Sequence, residues 1–275
     1  MQVVRIAHSP DPDDAFMAWA LHAGVVRDPE LRVELVPLDI ETANQMALRG
    51  EGPEATALSM ATFARVADRY WLLPHGASFG EGYGPIVVAR KEVDLREVEI
   101  AAPGAGTTAY ATLRMALPRA RCRQMPFDAI LPAVQRGEAE AGLLIHEGQL
   151  TWQREGVVKL LDLGVWWKEE TGLPLPLGVT AIRKDVGPAL AARVDALMRA
   201  SIEAGLARRA EALAYARGFG RGIPLEDADR FVAMYVNDLT RDMRPRGLAG
   251  VHEWVRRAAE AGIVPRADVH MAPSP

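Results

Sequence analysis

The stretch Ala139-Glu140-Ala141-Gly142-Leu143-Leu144-Ile145-His146-Glu147-Gly148-Gln149-Leu150-Thr151-Trp152 carries the residue best suited to proton transfer. Residues 141–145 form a short, continuous apolar run, as expected of a parallel strand buried on both faces. The run stops at His146, and residues 147–152 can start a helix. A polar side chain at the carboxyl end of such a strand faces the crevice where open α/β sheets bind ligands. Histidine gives and takes protons near neutral pH without special tuning, so this position suits acid–base chemistry. A histidine that merely satisfies a backbone group at a strand end fits the same pattern, and position and residue type do not separate the two.

A second candidate is Pro103-Gly104-Ala105-Gly106-Thr107-Thr108-Ala109, which leads into a helix over residues 110–117. A glycine turn followed by threonines at a helix start presents free N–H groups and hydroxyls, a ready site for a carboxylate or phosphate. A plain N-cap by Thr107 or Thr108 is the other reading. The turn His8-Ser9-Pro10-Asp11-Pro12-Asp13-Asp14 holds three acids where a strand becomes a helix. Asp caps free N–H groups there and complements the helix dipole. No further carboxylate cluster joins them, so capping is expected rather than a metal site. Gly76-Ala77-Ser78-Phe79-Gly80-Glu81-Gly82-Tyr83-Gly84-Pro85 is a pliable loop. Its spacing fits neither a Rossmann fingerprint nor a P-loop, and nothing points to a nucleotide cofactor.

These residues need elements to hold them. The pattern predicts strands over 3–7, 31–38, 55–58, 70–73 and 86–89, with helices over 15–23, 41–49 and 60–69 between the first of them. This βαβαβ rhythm marks a parallel sheet with helices on its faces. A second unit follows: strands over 97–102, 141–145 and 157–163, and helices over 110–117 and 128–136. A Pro- and Trp-rich crossing over 166–176 leads to a returning strand over 177–182. From Pro188 the chain reads as helical scaffold, over 189–217, 225–239 and 248–261, with amphipathic Ala/Arg/Glu patterning. The tail over 269–275 is expected to be loose. The expected architecture is therefore α/β with two lobes: residues 1–88 with 182–275, and residues 89–181. A cleft between lobes is where small-molecule sites form. His8, Asp14, Asn44 and Ser59 fall at strand–helix junctions of the first lobe, and Thr107, Thr108 and His146 at those of the second.

The chain as a whole narrows the classes. At 275 residues it is long enough for two lobes. A formal net charge of −4 and a pI near 5.9, with no basic patch, argue against nucleic-acid binding. The single cysteine, Cys122, excludes an internal disulfide and a cysteine-based metal cluster. The amino terminus enters a strand directly, without a signal-peptide pattern, and no apolar run reaches membrane-spanning length. A cytoplasmic protein that does not engage a membrane is expected.

His8-Ser9-Pro10-Asp11-Pro12-Asp13-Asp14-Ala15-Phe16-Met17, Gly82-Tyr83-Gly84-Pro85, Gly106-Thr107-Thr108 and Ile145-His146-Glu147-Gly148-Gln149-Leu150-Thr151 resemble the 1,4-dihydroxy-6-naphthoate synthases of the futalosine route to menaquinone. The resemblance runs in order along nearly the whole chain. It implies a two-lobed, type II periplasmic-binding-protein-like fold, in agreement with the pattern above. It implies cyclic dehypoxanthine futalosine, an aromatic carboxylate, as the small-molecule substrate, and no metal or organic cofactor. The family's base matches His146, and its substrate-binding segments match Ala57, Leu58 and Ser59 and also Thr108 and Ala109. Thr107 and Asn44 join these as substrate-binding candidates. Pro12 departs from the small residue usual between the first acids, a change that touches no assigned role. Two other readings stay open: a small-carboxylate binding protein of the solute-receptor fold, and chorismate dehydratase, which shares the fold. The missing signal pattern argues against the first, and the His-Glu-Gly-Gln-Leu-Thr stretch against the second. An effector domain would need a preceding helix-turn-helix, which is absent. The sequence leaves the oligomeric state open.

Overall fold

A computed structural model describes residues 1–219 and 224–273. The first half of the chain runs β1 (Gln2–His8), α1 (Pro12–His22), β2 (Leu31–Pro37), α2 (Ile40–Arg49), β3 (Ala55–Ser59), α3 (Met60–Val66), β4 (Tyr70–Leu72) and β5 (Ser78–Gly80). Next come β6 (Ile86–Ala89), β7 (Glu99–Ala102), α4 (Thr108–Ala116), β8 (Arg121–Gln124), α5 (Phe127–Arg136), β9 (Ala141–Leu144), α6 (Gly148–Thr151), β10 (Val158–Asp162) and α7 (Leu163–Thr171). The chain returns through β11 (Leu175–Arg183) and closes with α8 (Pro188–Ala207), α9 (Arg209–Ala216), α10 (Leu225–Tyr235), α11 (Asp238–Arg241) and α12 (Arg246–Glu260).

Two mixed sheets result. The first has the order β2-β1-β3-β11-β4, with β5 also paired to β11, and the second β10-β6-β9-β7-β8. The βαβ units are parallel as the rhythm predicts: β2, β1 and β3 in one sheet, β9, β7 and β8 in the other. The remaining strands run against them. β11 is antiparallel to β3, β4 and β5, and β6 is antiparallel to β9 and β10. The sequence cannot signal this reversal, because a fully buried run such as Ile86–Ala89 looks alike in either direction. Residues 86–89 thus belong to the second sheet and 175–183 to the first. The passages between sheets lie a few residues upstream of the sequence boundaries at 88/89 and 181/182.

Other differences have local causes. Residues 166–171 of the expected crossing fall in α7, which is started by the Asp162 carboxylate accepting from the N–H groups of Gly164 and Val165. β8, with the sequence Arg-Cys-Arg-Gln, lies at the sheet edge and shows no hydrophobic pattern to betray it. The tail is pinned: Leu72 N–H donates to His270 O and Ala272 N–H to Leu72 O, and Ala272 is buried. Ser274 and Pro275, at its end, lie outside the described residues. The expected helix over 189–217 breaks at Arg208, whose φ of −116° and ψ of 49° leave the helical region.

The two sheets share a core. Leu58 of β3, Phe63 of α3 and Phe79 of β5 pack in one cluster with Val87, Ile100 and Leu143 of the second sheet. Burying each such side chain contributes about 1.5–3 kcal/mol. α12 seals the junction, and Trp254 donates its indole N–H to Thr112 Oγ1 of α4 at 3.1 Å. The carboxyl-terminal helices therefore brace the seam as well as the first sheet. Among the described residues, no helix is long and apolar enough to cross a membrane.

Candidate active site

Opposite this shared core the sheets part, and a cleft of about 740 Å³ opens between them. The first sheet contributes the turn after β1 (Ser9, Asp11, Asp13, Asp14), the end of β3 (Ala57, Leu58, Ser59) and part of β11 (Leu177, Gly178, Val179). The second contributes the start of α4 (Thr107, Thr108, Ala109) and the turn after β9 (Ile145, His146, Gln149). Phe231 and Tyr235 of α10 complete the wall. A further hollow of about 1040 Å³ shares Asp11, Ile40, Thr107, Ile145 and His146 with the cleft and is walled by Glu41, Gly104 and Phe127. His146 thus borders both spaces.

His146 has a φ of +53°, the one non-glycine residue with positive φ among the described residues. That left-handed conformation costs about 1–2 kcal/mol for an L-residue and concentrates at functional sites. It turns the side chain off the end of β9. Oriented so that both of its ends find partners, the Gln149 amide stabilises the turn: its nitrogen donates to Gly84 O and to Tyr235 Oη, each at 2.6 Å, and its oxygen accepts from His146 N–H at 3.2 Å. The Phe127 ring meets the imidazole edge-on at 4.8 Å between centroids. Nδ1 lies 3.2 Å from the Asp11 carboxylate, which comes from the other sheet.

The acids after β1 do not behave as caps. Asp11 stands at the N-cap of α1, yet its side chain makes no capping bond. Its Oδ2 accepts from Ser9 Oγ at 2.7 Å instead. Asp14 accepts from Ser9 N–H at 2.7 Å. Asp13 is buried beside Ser78 Oγ at 3.3 Å. Burial, reinforced by the charges of Asp14 and Asp11, pushes the Asp13 carboxyl well above the usual carboxylate range. Burial also raises Asp14, against the stabilising Ser9 N–H. Tyr235 is raised well above its ordinary value by burial, and Tyr83 to about 12 for the same reason. Among the described residues, no group of three His, Cys, Asp or Glu is arranged to hold a metal ion.

The other candidates divide. Thr107 caps α4, accepting from Tyr110 N–H at 3.2 Å while its hydroxyl donates to Gly104 O at 2.8 Å. Thr108 Oγ1 donates across the seam to Leu177 O at 2.6 Å and accepts from Ala61 N–H at 3.4 Å. Both hydroxyls are committed, so this turn offers a ligand its backbone. The N–H groups of Thr108 and Ala109 have no acceptor within the helix and carry the positive end of its dipole. Ala57, Leu58 and Ser59 line the cleft, whereas Asn44 stands behind it, fully buried. Its Oδ1 accepts from Ser59 N–H and its Nδ2 donates to Ser59 Oγ, both at 3.0 Å. His8 also stands off the cleft, with Nδ1 2.8 Å from Ser9 O and its ring against Phe219. Sequence reasoning gave no site role to Asp11, Ser78, Gln149, Phe231 or Tyr235. Of these, Asp11, Ser78 and Gln149 stand in stretches already singled out, and Phe231 and Tyr235 do not. No lysine or arginine lines the cleft among the described residues. Of the described residues, N–H groups and the His146 imidazole are what an anion meets there.

The two sheets and the cleft between them define a class by fold, the periplasmic-binding-protein-like proteins. The periplasmic aliphatic sulphonate binding protein of Escherichia coli superposes with a TM-score of 0.72 at 13% identity, covering 100% of this chain and 94% of that one. At that identity the likeness speaks to fold alone. A family model described as menaquinone biosynthesis matches residues 4–260, and the chain belongs to that family. Relatives named 1,4-dihydroxy-6-naphthoate synthase are 40% identical in Thermus thermophilus (100% of this chain, 98% of the relative) and 38% identical in Streptomyces coelicolor (95% of each). A solved protein of Archaeoglobus fulgidus superposes with a TM-score of 0.90 at 43% identity, over 95% of this chain and 98% of that one.

Proposed function

We propose that this protein is a 1,4-dihydroxy-6-naphthoate synthase, a cytoplasmic lyase that converts cyclic dehypoxanthine futalosine without an added cofactor. The observation that carries the reading is His146, strained and held at the border of the cleft, in a chain 40% identical to a relative of that name.

The substrate's aryl carboxylate docks on the N–H groups of Thr108 and Ala109, where the α4 dipole favours negative charge. Ala57, Leu58 and Ser59 form the facing wall, and Asn44 acts on the substrate only through Ser59. The neutral imidazole of His146 removes the proton from carbon beside the ketone, and the electron pair moves into the carbonyl as an enolate. The enolate collapses, the bond to the sugar-derived fragment breaks, and that fragment leaves with its electron pair and takes up a proton. Aromatisation to the dihydroxynaphthoate drives the step, so the protein's work is positioning the base and excluding water. Closure of the two lobes over the substrate supplies the exclusion.

Purified protein, supplied with cyclic dehypoxanthine futalosine and no other small molecule, is expected to form 1,4-dihydroxy-6-naphthoate, followed by its absorbance. Tight binding of a small carboxylate without turnover would assign the chain to the solute-binding reading instead. Loss of water from chorismate would select the dehydratase.

A further inference from the structure

We infer that Asp11 is the positioning residue of His146, completing the base from the opposite lobe; this rests on the reading of His146 as the base. An imidazole acts as a base only through the nitrogen that lacks hydrogen, and which one that is depends on the partner of the other. Asp11 Oδ2 faces His146 Nδ1 at 3.2 Å, and a carboxylate can only accept there. The pairing places the hydrogen on Nδ1 and leaves the lone pair on Nε2.

Three features mark this contact as built. Asp11 occupies an N-cap position, where aspartate ordinarily accepts a helix N–H, and its side chain makes no such bond. Its Oδ2 is fixed by the Ser9 hydroxyl at 2.7 Å, and the residue is 3% exposed. The His146 backbone is fixed separately, by Gln149 at 3.2 Å, and that amide also binds Gly84 O in the passage joining the two sheets. The imidazole therefore takes its backbone position from one lobe and its ring orientation from the other. Asp11 follows β1 and His146 follows β9, so separating the sheets removes the partner. The base is oriented when the lobes are closed and released when they open.

The test compares Asp11→Asn, His146→Gln and the double variant with wild type, by steady-state turnover of cyclic dehypoxanthine futalosine. It adds ¹⁵N NMR of histidine-labelled wild type with the naphthoate product bound, His146→Gln identifying the resonance. Removing the orienting carboxylate from such a pair lowers kcat by up to roughly 10⁴-fold in the best-known precedent. We expect Asp11→Asn to lose at least tenfold in kcat with KM within about threefold. We expect the double variant to be no slower than His146→Gln, and the wild-type imidazole to carry its hydrogen on Nδ1. A smaller loss of kcat, a loss carried by KM, or a wild-type hydrogen on Nε2 overturns the inference. The NMR result is read from wild type itself, and His146→Gln serves there only to assign the resonance. An inactive His146→Gln beside an active Asp11→Asn removes Asp11 alone. An active His146→Gln removes the base reading and this inference with it.

Discussion

Replacing Gly164 with alanine drives a methyl group into the seam between the sheets. An added Cβ would stand 1.9 Å from Tyr83 O, 2.0 Å from Tyr83 C and 2.6 Å from Gly84 N, all of them backbone atoms. Real Cβ contacts essentially never fall below 3.0 Å, so moving from 1.9 Å to 3.0 Å requires about 1.1 Å of retreat by residues 83 and 84. Gly84 O holds the Gln149 amide at 2.6 Å, and a shift of that size along the bond takes it out of hydrogen-bond reach. Gln149 in turn holds the strained His146 backbone at 3.2 Å. A misplacement of roughly 1 Å at a catalytic group costs on the order of 10²-fold in rate. Overpacking of this kind costs about 1–3 kcal/mol of stability. The assay pairs kcat for naphthoate formation with a urea unfolding curve. We expect a folded protein with a lowered midpoint and kcat reduced roughly 100-fold. A folded Gly164→Ala variant with kcat within threefold of wild type would refute the chain of contacts from Gly164 to His146.

Two further perturbations probe the groups around the cleft. Asp13 has a folded-state pKa raised by burial, so between the unfolded value of about 4 and its folded value the native state holds a proton that the unfolded state has lost. Stability falls as pH rises through that window, and Asp13→Asn should therefore gain in melting temperature over wild type as pH increases from 4.5 to 8; a gain that shrinks with pH contradicts the burial argument. Asn44→Ala removes both 3.0 Å bonds to Ser59 and leaves buried polar groups unmet, a loss of about 2–3 kcal/mol. Its melting temperature should drop by roughly 5 °C or more with KM raised, and an unchanged KM would separate Ser59 from the substrate.

Most of what positions the site is local in sequence, which is why it could be read there. The 141–145 run, the 107–109 helix start and the strands before Ser9 and Ser59 follow from apolar continuity and capping residues. What could not be read is what depends on distant partners. The direction of β6 and β11 is set by pairing, and a buried strand shows the same residues either way. β8 hides behind arginines at an exposed edge. Asp11 looks like an N-cap until the second sheet brings His146 to it. Tyr235 and Phe231 reach the cleft from a helix whose pattern announces only amphipathic scaffold. Asn44 reads in the sequence as a substrate-binding candidate at a strand–helix junction, but total burial puts it behind the wall. The likeness to the naphthoate synthases supplied the role of His146, which spacing alone left open between catalysis and a strand-end hydrogen bond.

The most direct test is single-turnover conversion of cyclic dehypoxanthine futalosine by wild type and by His146→Gln, matched for folding by circular dichroism. If His146 is the base, wild type releases stoichiometric 1,4-dihydroxy-6-naphthoate and the variant returns the substrate unchanged, with binding retained. Product formed by the variant at a rate near wild type would take His146 out of the chemistry.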